Sequence, residues 1–194
     1  MTNKATDVKI VIAIVGMPGA GKSLSCEYFA NTNIPVLRFG DQTDIGLKEL
    51  NLPLTEVNER QYRENLRKEL GMAAYAIKIE PRIKKTFEIS STVILDGLYS
   101  WEEYTYLKEK FPNLFLLCIY ARPQIRYQRL STRKIRPLIA KQARSRDIAE
   151  IENLNKGGPI AIADFLIKNN KDTDKLNKKL ADTLKLITRL SREK

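Results

Sequence analysis

Residues 9–15 read Lys-Ile-Val-Ile-Ala-Ile-Val, six apolar positions in succession after one lysine. A run without polar alternation predicts a strand buried on both faces. A helix is expected to follow, ending near Ala30. Residues 35–39 predict a second, weaker strand. Between residues 55 and 85 the apolar positions return at helical spacing, with a break near Gly71. Residues 92–95 form a short β-branched run that ends at Asp96-Gly97. Residues 101–110 predict a helix that stops before Pro112, and residues 114–120 another apolar strand. Two basic helices are expected over 124–134 and 138–154. Residues 164–167 predict a last strand and 174–190 an amphipathic terminal helix.

Strands separated by helices imply βαβ crossovers. The expected class is α/β: a five-stranded parallel sheet with helices on both faces, in one domain over 1–194. Such sheets bind ligands at the carboxyl ends of their strands. The chemistry is therefore sought just after each strand.

Gly16-Met-Pro-Gly-Ala-Gly-Lys-Ser23 follows the first strand and precedes the first helix. This is the P-loop pattern in the setting its mechanism requires, and it makes the fold a P-loop NTPase three-layer sandwich. Glycines let the backbone turn its N–H groups inward around phosphate oxygens. The candidate nucleotide-binding residues are Gly16, Pro18, Gly19, Ala20, Gly21, Lys22, Ser23 and Leu24. In this pattern Lys22 can reach the terminal phosphates of a nucleotide, and the Ser23 hydroxyl can hold Mg²⁺. The helix that opens there points its positive dipole end at the anion. Asp96, at the end of an apolar strand, is the second candidate metal residue. Asp41, just past the second strand, is a candidate proton acceptor.

Charge narrows the partners. Lys plus Arg number 34 and Asp plus Glu 23, a net charge of +11. Nine cations and no acid lie between Arg122 and Arg146. Arg122, Arg126, Arg129 and Arg133 are spaced four, three and four apart, on one helix face. Like charges so arranged repel until an anion arrives, and phosphoryl transfer supplies one. Arg129 and Arg133 are the candidate catalytic cations, alongside Lys22 and Asp41. The chain has no histidine, which excludes Ser-His-Asp triads and His-ligated metals. Cys26 and Cys118 are too few for a disulfide framework and read as small buried hydrophobes. No apolar run is long enough to span a bilayer. Residues 1–9 carry charges of both signs and read as no secretory signal. The cytoplasm is the expected compartment, and no membrane partner is expected.

Together these blocks resemble the nucleotide-kinase branch of P-loop proteins. Gly16–Ser23, Gly40-Asp41, Leu95-Asp96-Gly97, Arg129 with Arg133, and Arg144 with Arg146-Asp147 are similar to nucleoside monophosphate kinases. The stretch from Gly157 through Ala163-Asp164 to Asn169 is more like dephospho-coenzyme A kinase. The whole pattern also resembles an archaeal adenylate-kinase-like group. The resemblance implies strand order 2-3-1-4-5, an acceptor-binding helical insertion about 40–88 and a short lid about 129–147. It implies transfer of the ATP γ-phosphate to a small nucleotide-like acceptor, dephospho-coenzyme A or a nucleoside monophosphate. Two family arginines are missing: none follows Asp96-Gly97, and none closely follows Asp41. Arg60, Arg63 and Arg67 are then the nearest acceptor-side cations. A hydroxyl acceptor would use Asp41 as base, whereas a phosphate acceptor would need the cations; both stay open. A nucleic-acid-binding or 5′-end-processing ATPase is the less favoured alternative. A GTPase switch is less favoured still, because in Asn169-Asn170-Lys171-Asp172 the acid stands one position early.

Overall fold

The computed structural model describes residues 8–193. Residues 1–7, most of the segment read above as no secretory signal, lie outside them. The central strand β1 (Ile10–Val15) is followed by α1 (Lys22–Asn31), β2 (Val36–Arg38), α2 (Asp41–Glu49), α3 (Glu56–Leu70) and α4 (Ala74–Thr86). Then come β3 (Thr92–Asp96), α5 (Trp101–Lys110), β4 (Leu114–Tyr120), α6 (Pro123–Thr132) and α7 (Ala140–Leu154). A short α8 (Gly157–Ala161), β5 (Phe165–Lys168) and α9 (Thr173–Leu190) complete the chain. The strands form one parallel sheet in the order β2-β3-β1-β4-β5, the order the resemblance implied.

The period of two along β1 divides the core between the two faces. Val11, Ala13 and Val15 pack with Val93, Leu95 and Leu116 against Ile79 and Ile83 of α4 and Leu107 of α5. Ile10, Ile12 and Ile14 pack with Ile94, Leu117 and Ile119 against Phe29 of α1 and Leu176, Leu180 and Ile187 of α9. Every β1 side chain is buried. Each such Ile or Val contributes about 1.5–3 kcal/mol by leaving water. Among the described residues no helix is long and apolar enough to cross a membrane.

Three elements differ from the sequence reading. Helix α2 was not anticipated, because its nine residues are mostly polar. It is held from outside: Leu47 is buried, and Thr43 Oγ1 and Tyr75 Oη share a 2.7 Å hydrogen bond. Asp41 and Asp44 in its first turn complement the helix dipole. Residues 157–161, to which the sequence reading assigned no element, form helix α8. The last strand begins one residue late, since Asp164 instead accepts the backbone N–H of Leu116 at 2.7 Å. The break near Gly71 is real and separates α3 from α4.

Candidate functional site

Parallel register brings the chemistry to one end of the sheet. Asp96 stands opposite Ile14 of β1, two residues before the loop opens at Gly16, and Arg38 of β2 stands opposite Asp96. The loop closes over the carboxyl end of β1. Gly16 has no room for a side chain, since a Cβ there would lie 2.3 Å from the Ile119 carbonyl oxygen. Gly21 caps α1 in the left-handed region, at φ 107°. Asn169, buried at the end of β5, reaches under it and donates to the Ala20 carbonyl at 2.8 Å.

This bracing makes a prediction. Gly21→Ala would put a Cβ 2.2 Å from Asn169 Nδ2, at a φ that L residues avoid. We expect a loss of about 1–3 kcal/mol in stability, read by denaturant melts, together with weakened nucleotide binding. Unchanged stability would mean that the loop is not held by Asn169.

Lys22 opens α1 and turns back over the loop. Its Nζ donates to the carbonyls of Gly16 (2.8 Å) and Met17 (3.3 Å). Burial, with the nearby Lys156 charge next, brings its ammonium down to about 8. Ser23 and Leu24, on the first turn, are exposed. Pro18 and Ala20 are buried. The Asp96 carboxylate sits beside the Cys26 thiol, which burial and that carboxylate push far up. Cys26 and Cys118 are both buried free thiols, as read.

The basic segment is mostly not a face waiting for an anion. Arg126 is the main correction. It is buried, and its guanidinium forks onto Asp147 at 2.9 and 2.7 Å while also donating to the Pro18 carbonyl at 3.0 Å. Tyr127 Oη donates to the same carboxylate at 2.9 Å. Helix α7 carries Asp147, so this pair ties α7 to α6 and α6 to the loop. Arg129 lies against the loop, with Nη1 at 3.5 and 3.4 Å from the Gly19 and Ala20 carbonyls and Nη2 at 3.0 Å from the Asn169 carbonyl. Arg133 stands past the end of α6 and donates to the Arg136 carbonyl. Arg136 and Arg146 are paired with Glu56 and Glu150. Asp172, the acid of the near-guanine motif, caps α9 through the Lys175 N–H.

A cavity of about 260 Å³ opens beside the loop end of β3. Arg38, Asp41, Arg63, Arg67, Tyr99 and Glu103 line it. Glu59, Arg63 and Arg67 reach it together because four-residue spacing stacks them on one face of α3. Arg60 belongs to another face and pairs with Glu64. Asp41 has the arginines that linear order seemed to deny it. Arg82 of α4 lies 3.3 Å away, and Arg38 lies 3.9 Å from Asp41 and 3.7 Å from Asp96. These arginines stand before Asp41 or far after it in the chain, so a motif read forward missed them. Glu103 was missed too. It closes a capping box with Ser100 at the start of α5, and burial pushes its carboxyl up to about 7. The spacing Ser100-x-x-Glu103 was its sequence signal.

Sheet order, glycine loop and the lysine within it define a P-loop protein with the kinase-type fold. Residues 12–153 match the family model described as AAA domain, and the chain belongs to that family. Within it the chain belongs with the UPF0200 proteins. It is 31% identical over 173 residues to one from Pyrococcus abyssi, covering 87% of this chain and 92% of the relative. It is 33% identical over 164 residues to another from Methanocaldococcus jannaschii, covering 84% and 82%. Among solved structures, TT1252 from Thermus thermophilus superposes with a TM-score of 0.59 at 17% identity, over 91% of this chain and 97% of that one. Shikimate kinase from Acinetobacter baumannii in complex with shikimate gives 0.56 at 15% identity, over 94% and 97%. A gluconokinase from Sinorhizobium meliloti gives 0.55 at 14%, over 95% and 94%. At these identities the superpositions establish a shared fold.

Proposed function

We propose that the chain is an ATP-dependent phosphotransferase acting on a small anionic acceptor that carries a hydroxyl group. One observation carries this reading: a half-buried lysine inside a glycine loop and an arginine-lined cavity that also holds carboxylates stand at the same end of the parallel sheet. The residues suit a polyphosphate. The Lys22 ammonium is desolvated and touches only loop carbonyls, so an anion improves its surroundings. Among the described residues no three Cys, Asp or Glu gather as a metal cage. A Mg²⁺ would then be held by Ser23, Asp96 and phosphate oxygens. Bound there, it would supply charge neutralisation at the β- and γ-oxygens.

The chain's own groups do the rest. Amides of residues 19–23 hold the β-phosphate, and Lys22 bridges β and γ. Arg129, beside the loop, and Arg133, in the short 129–147 lid, serve the nucleotide side. The helices within 40–88 form the acceptor side, where Arg38, Arg63 and Arg67 hold the acceptor's anionic group. Asp41, oriented by Arg82, takes the hydroxyl proton as that oxygen attacks the γ-phosphorus and ADP leaves. Dephospho-coenzyme A is a nucleotide-like acceptor of this kind. Shikimate, bound by one structural neighbour, is a smaller one. Arg38, placed between Asp41 and Asp96, favours a second reading, a nucleoside monophosphate whose phosphate oxygen attacks directly.

The test is ADP release with magnesium across dephospho-coenzyme A, nucleoside monophosphates, nucleosides and small hydroxy acids, with Lys22→Met as control. Persistent ATPase activity that no acceptor stimulates would overturn the kinase reading. Asp41→Asn then separates the two acceptors. For a hydroxyl acceptor we expect turnover to fall about 10²- to 10⁴-fold. Normal turnover of a phosphate acceptor in that variant would sink the base role.

A further inference from the structure

The charges that line the acceptor cavity do not cancel in pairs. Arg63 is matched by Glu59 at 3.2 Å. Asp41 is matched by Arg82 at 3.3 Å and by Arg38 at 3.9 Å. Arg67, Asp44 and Glu103 line the same cavity, and among the described residues none of the three makes an ion pair. Arg67 lies over the Tyr75 ring, 5.5 Å from its centroid, and its Nε is buried without a hydrogen-bond partner. A guanidinium so desolvated is improved when its other N–H groups meet a carboxylate. Glu103 is 3% exposed. Its Oε2 accepts the N–H groups of Tyr99 (2.7 Å) and Ser100 (3.1 Å). Among the described residues no donor meets its other oxygen.

What is left over has a definite pattern. Helix α3 offers one free positive group. Helices α2 and α5 offer a free carboxylate each, Asp44 exposed and Glu103 buried. A wholly anionic molecule would satisfy Arg67 and be repelled by the two carboxylates. A molecule carrying both signs satisfies all three. Burial pushes the Glu103 carboxyl up to about 7, and an ammonium beside it would restore its charge. The cavity, at about 260 Å³, is smaller than the roughly 300–1,000 Å³ of drug-sized ligand sites. It suits a molecule of amino-acid size.

We propose that the acceptor is a small zwitterion, a hydroxy amino acid whose carboxylate lies on Arg67 and whose ammonium faces Glu103 and Asp44. This rests on the reading of the chain as a phosphotransferase with its acceptor in this cavity, and it narrows the class of that acceptor. The acceptor's hydroxyl oxygen forms a bond to the γ-phosphorus. The bond from that phosphorus to the β,γ-bridging oxygen breaks, ADP keeps the electron pair, and the hydroxyl proton passes to Asp41.

The experiment is ADP release from MgATP by the full chain with L-serine, L-threonine and L-homoserine. Each is compared with the hydroxy acid that lacks its amino group and the amino alcohol that lacks its carboxylate. Dephospho-coenzyme A and nucleoside monophosphates are run alongside. We expect one amino acid to exceed both of its counterparts in kcat/KM by about 10- to 150-fold. Glu103→Gln keeps an oxygen for the cap and removes the charge, so it should abolish the preference over the hydroxy acid. Arg67→Met should abolish the preference over the amino alcohol. A uniform loss across all three compounds in both variants, as a merely structural role gives, would overturn the inference. Equal or better turnover of the hydroxy acid or of a nucleotide-like acceptor by the wild type would also overturn it, and would leave the phosphotransferase reading standing. ATPase activity that no acceptor stimulates would overturn both. The wild-type comparison needs no variant, so it decides the matter even if Arg67→Met or Glu103→Gln fails to fold.

Discussion

Lys22→Met should remove nearly all nucleotide binding while leaving the ligand-free protein as stable as wild type or more so. The side chain is half-buried, and desolvation first, with the Lys156 charge next, lowers its ammonium from 10.5 to about 8. Its folded value lies below its unfolded one, so the folded state pays a penalty that is complete below pH 8. Between pH 8 and 10.5 the unfolded chain binds the extra proton, and stability from this group rises with pH. Methionine keeps the length and removes the charge, so near pH 7 the variant escapes the penalty. Function moves the other way. A charged hydrogen bond to phosphate is worth about 1.5–3 kcal/mol, or roughly 10- to 150-fold in affinity. Turnover should fall by a further 10²- to 10³-fold or so, because the lysine faces charge that develops in transfer. Thermal melts with and without MgATP check both halves. A variant that still gains stability from MgATP as wild type does would remove Lys22 from the site. Wild-type affinity should also weaken above pH 8, as the free ammonium loses its proton.

Breaking the Arg126–Asp147 pair should cost more stability than any other single change considered. Both groups are buried, and their fork geometry is bidentate. Arg126→Met strands a buried carboxylate with the Tyr127 hydroxyl as its remaining donor. It also removes the donor to Pro18. The expected loss is about 3–5 kcal/mol, a fall in Tm of roughly 6–20 °C for a chain of this size. The double variant Arg126→Met with Asp147→Leu should recover much of it, since a pair of apolar groups leaves no charge buried alone. A loss below about 1 kcal/mol for the single variant, typical of exposed pairs, would show that α7 is not tied to the loop by this contact. Asp147 is out of reach of any reading of local spacing. It lies 21 residues from Arg126, on another helix.

How far the chain could be read depended on whether the signal was local. β1 announced itself because a strand between two neighbours, covered by helices on both faces, must be apolar at every position. The break at Gly71 and the strand end at Asp96 were visible for similar reasons, as residue types that stop an element. Helix α2 was invisible: its nine residues hold few apolar positions, and Thr43 is secured by Tyr75, 32 residues away. The arginines of the basic segment looked equivalent, because spacing reports which face of a helix they share but not what lies opposite that face. Arg126 meets a carboxylate, Arg129 meets loop carbonyls, and Arg133 turns toward the chain beyond α6.

By itself the order of residues determined the phosphate loop, the parallel α/β class and the candidate carboxylates at strand ends. Each of these depends on neighbours within a few positions, where backbone geometry and burial periodicity operate. Only the tertiary structure decided which cations stand near the candidate site. Parallel register set Arg38 between Asp41 and Asp96, the α3 face turned Arg63 and Arg67 inward and left Arg60 outside, and the return from α7 delivered Lys156 beside Tyr99. A charge has no periodic signature, and its role depends on the opposite charge, carbonyl or empty cleft that folding brings to face it.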